Sequence, residues 1–293
     1  MNILINNAKK IRLFSLAAAV CLGTATSGLA LEFNKGDHVV LIGNALAERM
    51  QHHGWLESYI QATTADKELV FRNHGFGGDK VNNRPRNNGF PSADAYLEIS
   101  KADVILAFWG YNESFDNSPD AYRADLAKWI DETKGKKYNG KGAPRIVLLS
   151  PIAHENLGQA NLPDGSANNQ RLAKYTEATR QVANEKGVDF VDLFSLSQDL
   201  YERSKLPLTI NGIHLNSRGN SQLARGIHKN LFGKSPRASG RKLARIRDAV
   251  LDKNWHWYNR YRATDGNDVW GGRSGLRFVA GQTNREVLQQ ELK

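Results

Sequence analysis

Five short apolar segments, spaced so that they alternate with helices, constrain the fold of this chain more than any other feature of its sequence. Each segment is nearly continuous in β-branched and aliphatic residues, which is typical of strands buried on both faces of a sheet. The segments between them have helical periodicity and charged outer faces. This alternation predicts a three-layer α/β/α sandwich around a parallel sheet. The predicted strands cover residues 38–43, 68–73, 103–110, 145–150 and 188–193.

Two long loops follow predicted strands and are rich in glycine, asparagine and proline. They cover residues 75–92 and 153–167. In open parallel sheets the ligand crevice lies beyond the carboxyl ends of the strands. We therefore expect both loops to border a ligand-binding crevice.

The first 30 residues have the pattern of a secretory signal peptide. Basic residues precede a short apolar run, and residues 28–30 supply the small side chains of a cleavage site. The run is shorter than the roughly 20 apolar residues of a membrane span. We therefore expect a secreted or periplasmic protein without an integral membrane segment once the signal is removed. The only cysteine, Cys21, lies inside the signal, so no disulfide is expected.

A basic, aromatic-rich extension (residues 234–293) follows the α/β domain predicted for residues 31–233. The segment 234–262 carries nine Lys or Arg against two Asp, a net +7 of the chain's formal +10. This local excess fits either an anionic polysaccharide partner or a solvated helix face. Trp255 and Tyr258 have the helical spacing that would pin the extension to the core. An exported chain without a recognisable nucleic-acid-binding motif is not expected to bind nucleic acid.

Four short motifs follow the predicted strands in order. Gly43-Asn44-Ala45 ends the first strand, Gly77-Gly78-Asp79 follows the second, and Gly110-Tyr111-Asn112-Glu113 follows the third. Asn211-Gly212-Ile213-His214 comes after the fifth. Together the four motifs resemble the pattern of the SGNH/GDSL hydrolases over residues 38–230. The resemblance implies a five-stranded parallel sheet in flavodoxin-like order.

The resemblance also implies roles for particular residues. Gly78 and Asn112 match the N–H donors of an oxyanion hole, and His214 matches the general base. Ala45 stands where the family has its nucleophilic serine, and Asn211 where it has the aspartate that orients the histidine. A methyl group attacks no carbonyl, so this alignment excludes ordinary acyl-serine catalysis. Asn211 is expected to orient His214 through its amide oxygen, without supplying a negative charge.

The predicted site has a catalytic and a substrate-binding part. Neither a metal nor another cofactor is expected. The catalytic residues are predicted to be Gly78, Asn112 and His214. The substrate-binding residues are predicted to be Asn44, Ala45, Glu113, His154 and Asn211.

Several polar residues near predicted strand ends allow more than one interpretation. Glu113 and Glu155 would suit an acid/base pair across the crevice. His74, His154 and His214 with a carboxylate would suit a metal site. The same side chains would equally serve as helix caps and loop hydrogen-bonding groups. Ser114 and Ser217 are the serines considered as replacement nucleophiles.

A narrower resemblance rests on the segments IGNALAERMQ, FRNHGFGGDKV, FWGYNESFDN, NGIHLN and GGRSGLRFVAGQTNREV. They are similar to the degenerate SGNH-like segment of secreted planctomycete-type proteins, which is often fused to c-type haem modules. The Asn-for-Asp and small-residue-for-Ser departures look usual for that branch. This sequence contains no C-x-x-C-H motif, so haem attachment is not expected.

Two classes of function remain open from the sequence. The first is a hydrolase of ester-decorated carbohydrate, or of another small ester, in which His214 activates water without a serine. The second is an inactive carbohydrate-binding or interaction module on the same fold.

Overall fold

The computed structural model describes residues 31–86, 90–262 and 271–291. The predicted signal peptide lies outside these ranges. Among the helices that are described, none combines the length and the apolar character needed to cross a bilayer.

A parallel five-stranded sheet forms the centre of the fold. Its strands are β1 (His38–Gly43), β2 (Val70–Asn73), β3 (Val104–Phe108), β4 (Arg145–Leu149) and β5 (Asp189–Val191). The order across the sheet is β2-β1-β3-β4-β5, and every neighbouring pair is parallel. The predicted α/β sandwich with flavodoxin-like strand order is therefore confirmed.

Helices cover both faces of the sheet. They are α1 (Ala45–His53), α2 (Trp55–Thr63), α3 (Ala93–Ile99), α4 (Pro119–Lys134), α5 (Ser166–Lys186), α6 (Leu193–Arg203), α7 (Ser217–Phe232) and α8 (Gly240–Tyr261). Short 3₁₀ turns lie at Ala65–Lys67 and Glu113–Asp116. Near the C-terminus, β6 (Arg277–Val279) and β7 (Gln282–Thr283) form an antiparallel hairpin followed by α9 (Asn284–Glu291).

Alternate residues of the central strands face two different hydrophobic cores. Leu41 and Leu106 belong to the core formed with α1, α2 and α7. Ile42 and Ile105 belong to the core formed with α4 and α5. Successive side chains of a strand point to opposite faces, so a strand covered on both faces must be apolar throughout. This explains the continuous apolar runs in the sequence.

The end of β1 is a tight corner. Gly43 has a φ of +127°, and a Cβ there would lie 2.2 Å from the carbonyl oxygen of Phe108. The next residue, Asn44, caps α1, because its side-chain oxygen accepts a hydrogen bond from the N–H of Leu46 (3.1 Å). Strand pairing and cap together place Ala45 at the start of the helix, at the carboxyl edge of the sheet.

Helix α8 packs against α1, α2 and β2. Trp257 and Tyr261 lie on its buried face. The Trp257 indole N–H donates a hydrogen bond to the carbonyl of Asn73 (2.7 Å), and the Tyr261 hydroxyl donates one to the carbonyl of His74 (3.0 Å). Both bonds join α8 to the end of β2, just before the loop that contains Gly78.

The aromatic residues that attach α8 differ from those expected. Trp255 is 62% exposed, and Tyr258 is only half-buried. The prediction that these two pin the extension to the core is therefore wrong for Trp255 and only partly met by Tyr258. The inward stripe of the helix runs through residues 250, 254, 257 and 261, which turns Trp255 to solvent.

Candidate functional site

A cavity of about 260 Å³ lies at the carboxyl edge of the sheet, where the connections that follow β1 to β4 meet the turn before α7. Five of the eight predicted site residues line it together. They are Asn44, Ala45, Gly78, Asn112 and His214. Much of the remaining wall is apolar. Its apolar members include Leu46, Phe108, Trp109, Pro151, Ile152, Ile213 and Leu215.

Gly78 presents a free backbone N–H to this region. Its φ is +90°, and a Cβ at this position would meet no atom within 4 Å. Within the described ranges its N–H has no hydrogen-bond acceptor. The preceding residue, Gly77, donates its N–H to the Glu48 carboxylate (2.5 Å), which ties the loop to α1. The N–H of Gly78 is thus available to a ligand.

Asn112 is held by the same loop. Its side-chain amide donates a hydrogen bond to the carbonyl oxygen of Asp79 (2.8 Å). A primary amide carries two N–H donors, so one donor remains for a ligand. Because Asp79 follows Gly78 directly, this bond fixes the two predicted oxyanion donors relative to each other.

The Asn211 side chain determines which nitrogen of His214 carries the proton. Its Oδ1 accepts hydrogen bonds from the backbone N–H groups of Ile213 (3.2 Å) and His214 (2.9 Å). Its Nδ2 lies 3.0 Å from Nδ1 of His214, closer than Oδ1 at 3.3 Å. Since the backbone donors hold Oδ1, the amide N–H faces Nδ1. We assign Nδ1 as the acceptor, which puts the ring proton on Nε2.

This tautomer differs from that of a serine-hydrolase base. An aspartate at position 211 would accept a hydrogen bond from Nδ1–H and leave a lone pair on Nε2. Both side-chain atoms of Asn211 reach Nδ1, the expected amide oxygen at 3.3 Å and the amide nitrogen at 3.0 Å, and backbone donors already occupy the oxygen. Burial lowers the pKa of His214, and the positive charge of Arg49 lowers it further. The imidazole is therefore neutral at neutral pH and offers the cavity a donor.

Arg49 lines the cavity and was missed by the sequence reasoning. It lies on α1, four residues after Ala45, so both side chains share one helix face. Its guanidinium Nε is buried and finds no hydrogen-bond partner in the described part of the chain. The spacing from the nucleophile position is the signal that would have revealed it.

Glu113 does not line the cavity. The side chain is buried, and its two oxygens accept hydrogen bonds from the N–H groups of Val81 (2.8 Å) and Gly110 (2.9 Å). Burial raises the pKa of Glu113, while these N–H donors act in the opposite direction. Contrary to the prediction, Glu113 is not placed to contact a ligand in the cavity. Its carboxylate is instead buried, because it accepts the N–H groups of Val81 and Gly110, which would otherwise lack an acceptor.

His154 and Glu155 support the turn that carries His214. Both are buried and neither lines the cavity. A Cβ on Gly212 would lie 2.3 Å from the His154 ring, so this turn packs directly on the imidazole. Glu155 accepts hydrogen bonds from both the N–H (2.7 Å) and the hydroxyl (2.6 Å) of Thr209. Contrary to the prediction, His154 is not placed to contact a ligand in the cavity. Glu155 is likewise not placed to form an acid/base pair across it.

The side chains predicted as possible metal ligands do not form a metal site in the part of the chain that the structure describes. His74 is buried and stacked on Trp257 and Tyr261, and burial lowers its pKa to about 3. Across the described ranges, no three His, Cys, Asp or Glu residues come together as a metal-binding group.

Neither serine considered as a replacement nucleophile lies on the cavity wall. Ser114 is buried, and its hydroxyl donates to the carbonyl of Tyr111 (2.7 Å). Ser217 is exposed at the start of α7. Ser150 does line the cavity, but its hydroxyl oxygen accepts a hydrogen bond from the N–H of Leu193 (2.8 Å) and caps α6 from there.

Two ion pairs support the Gly78 loop, one within the loop itself and one at Glu48, which accepts the N–H of Gly77. Arg86 forms two parallel 2.9 Å bonds to the carboxylate of Asp79, and both side chains are almost fully buried. The same guanidinium donates to the Tyr261 hydroxyl (3.2 Å). Arg262 pairs with Glu48 at 3.0 Å. Helix α8 and Arg262, the residue directly after it, therefore help to position the loop.

Comparison with known proteins identifies the family and the fold. The sequence profile of the GDSL-like Lipase/Acylhydrolase family matches residues 42–222. No curated protein sequence matches the chain significantly. An acetylxylan esterase from Geobacillus stearothermophilus shares the fold with a TM-score of 0.53 and 17% identity, covering 71% of this chain and 100% of the esterase. A catalytic mutant of that esterase gives 0.55 and 18%, with the same coverage.

A third similar structure is BT4096, a gut microbial diltiazem-metabolizing enzyme. It has a TM-score of 0.54 and 17% identity, over 70% of this chain. The match spans about half, 49%, of that enzyme's length. At these identities the structural matches establish the fold. The family profile covers most of the chain and includes all four motifs. The protein therefore belongs to the GDSL-like lipase/acylhydrolase family of the SGNH superfamily.

Proposed function

We propose that this protein binds ester-decorated carbohydrate in the cavity without forming an acyl-serine intermediate. One observation carries the proposal: the cavity keeps the donors for a carbonyl oxygen but has Ala45 at the nucleophile position. The Gly78 N–H and the Asn112 amide would bind the acyl carbonyl. Donors fixed in a largely apolar cavity favour such an oxygen, because they need no reorganisation to receive it.

The carbohydrate part of the proposal rests on fold neighbours and on the cavity wall. Several structures with this fold are described as acetylxylan or acetyl-xylooligosaccharide esterases. Apolar side chains line much of the cavity, and they suit an acetyl methyl group or the C–H face of a sugar ring. The signal-peptide pattern of residues 1–30 supports secretion, which would bring the protein to polysaccharide.

Turnover without a serine is the second candidate, and the shared location of Gly78, Asn112 and His214 favours it. In that mechanism His214 would take a proton from water while the two donors stabilise the oxyanion. It requires a lone pair on Nε2, so the ring proton would first have to move to Nδ1. The Asn211 amide opposes this move, because its N–H already faces Nδ1. Binding is therefore the better-supported function.

Serine-directed fluorophosphonate probes should leave the mature protein unlabelled. The expectation follows from Ala45 and from the hydrogen bonds that occupy Ser150. Intact-mass spectrometry after prolonged incubation checks it, with a serine esterase as the positive control. Stoichiometric labelling at any cavity residue, Ser150 included, would contradict a site without a nucleophilic serine.

Replacing Asn112 with alanine should weaken the binding of acetylated xylo-oligosaccharide by about 1–3 kcal/mol, because the acyl oxygen loses a donor in a poorly solvated cavity. Isothermal titration of the wild type and variant measures the loss. Asn230→Ala is the matched control, since Asn230 is an exposed asparagine on α7. Unchanged affinity in a folded Asn112→Ala protein would mean that the cavity is not the binding site.

A further inference from the structure

We propose that the cavity is a carboxylate receptor in which Arg49 supplies the counter-charge. The Gly78 N–H, the Asn112 amide and the Nε2–H of His214 would supply the neutral donors. This inference deepens the proposed function and rests on it, because it assumes that the cavity holds the ligand. It names the class of ligand as a carboxylate, either on a uronic acid residue or on a small free acid.

The charge balance of the wall is the first argument. Among the described residues that line the cavity, Arg49 is the one with a formal charge, and no Asp or Glu lies among them. Its Nε is buried without a partner in the described ranges. A guanidinium partly removed from water needs an anion or several acceptors to offset its lost hydration. The wall itself offers no anion.

The acidic neighbour of Arg49 on the same helix is already engaged. Glu48 accepts the N–H of Gly77 with one oxygen, and its other oxygen pairs with Arg262 at 3.0 Å. It therefore holds the loop in place and does not neutralise Arg49. The positive charge of Arg49 is therefore left for a ligand in the cavity.

The direction of the hydrogen bonds is the second argument. Asn211 presents an N–H to Nδ1 of His214 and so leaves a donor on Nε2. The second amide hydrogen of Asn112 and the unpaired N–H of Gly78 are also donors. Donors that line one cavity together with a guanidinium match the two acceptor oxygens of a carboxylate.

A neutral ester can pair with only some of the polar groups that line the cavity. Its carbonyl oxygen accepts from the neutral donors but leaves Arg49 without an opposite charge. A carboxylate meets both requirements, and charge-assisted hydrogen bonds are stronger than neutral ones. The apolar wall then accommodates the carbon skeleton, a sugar ring or a methyl group. The site thus favours an acid over its neutral ester.

Titration of the mature protein with four probes tests the inference. The probes are sodium acetate, glucuronic acid, glucuronic acid methyl ester and acetylated xylo-oligosaccharide. We expect at least one free acid to bind, and to bind more tightly than the neutral methyl ester. Glucuronate binding without acetate binding identifies a uronic acid residue as the source of the carboxylate. The reverse identifies a small free acid.

Three variants separate the specific role of Arg49 from the effect of the protein's overall positive charge. Arg49→Gln should weaken binding of the free acid by roughly 10- to 100-fold, as expected for loss of a charge-assisted bond. Its effect on binding of the acetylated oligosaccharide should be several-fold smaller than its effect on the free acid, because the neutral ligand brings no carboxylate to the guanidinium. The affinity of Arg49→Lys for the free acid should lie between those of the wild type and of Arg49→Gln, because lysine keeps the charge but not the planar fork. Arg203→Gln is the matched control, since Arg203 has a 79% exposed side chain on α6.

Each result decides between the two proposals. If the acetylated oligosaccharide binds and neither acid does, the carboxylate inference is overturned and the proposed function stands. If Arg203→Gln weakens acid binding as much as Arg49→Gln, the attraction is a general charge effect and the inference is again overturned. If no probe binds to the folded protein, both proposals fail. Thermal melting of each variant confirms that it is folded.

Discussion

The double variant Ala45→Ser with Asn211→Asp should hydrolyse simple acetyl esters with a kcat/KM about 10³-fold or more above the wild type. Loss of a complete catalytic triad costs more than this in serine proteases. The serine would restore a nucleophile at the start of α1. The aspartate would accept a hydrogen bond from Nδ1–H of His214 and so leave the Nε2 lone pair to act as base. Release of p-nitrophenol from its acetate ester measures the gain.

The single variants are the controls for this prediction. Ala45→Ser alone keeps the amide N–H that faces Nδ1 of His214, so its base remains in the unfavourable tautomer. Asn211→Asp alone has a base but no nucleophile. Each should therefore gain far less than the double variant. A folded double variant without activity would show that the donors of the cavity are not arranged for ester hydrolysis.

The pH profile of the double variant gives an independent check. A carboxylate beside Nδ1 favours the imidazolium, so the pKa of His214 should rise from the value that burial and Arg49 now depress. A general base must be neutral to act. Activity should therefore fall as the pH drops through the raised pKa.

Replacing Arg86 with methionine should destabilise the protein by about 3–5 kcal/mol at neutral pH, the usual effect of removing one partner of a buried ion pair. The side chains of Arg86 and Asp79 are only 8% and 3% exposed. Without the guanidinium, the carboxylate of Asp79 is left unpaired beneath the Gly78 loop. Urea unfolding measures the loss, and ligand affinity should fall with it.

The effect of Arg86→Met should depend on pH in a defined direction. Burial already raises the pKa of Asp79, and the bonds to Arg86 oppose that rise. In the variant the pKa of Asp79 should rise further, so the folded state binds a proton that the unfolded state releases. Stability is then recovered as the pH falls through the raised pKa towards the unfolded value. The deficit should be largest near neutral pH.

Two further variants test this cause. Asp79→Asn combined with Arg86→Met removes the unpaired charge and should recover much of the lost stability at neutral pH. Arg123→Met removes an exposed pair with Glu185 and should change stability by about 1 kcal/mol or less. A deficit that ignores pH, or that the double variant does not reduce, would contradict the explanation by a buried charge.

Features that depend on local pattern could be predicted from the sequence. Continuous apolar runs identified the strands, because a residue buried on either face of a covered sheet must be apolar. The motif Gly43-Asn44-Ala45 marked the end of the first strand, where the structure has the corner into α1. The alanine at position 45, where the family has its serine, was visible directly in the sequence. These predictions required only the chemical nature of each residue and its position relative to a strand end.

Features that depend on competing partners were decided by the tertiary structure. Glu113 turns inward because Val81 and Gly110 present backbone N–H groups to it. Asn211 turns its amide nitrogen to His214 because backbone donors hold its oxygen. The sequence identifies the polar groups of a side chain but not the donors that reach it from other segments. The alanine at the position of the family's serine could therefore be predicted to matter from the sequence, whereas the donor character of the cavity depended on the fold.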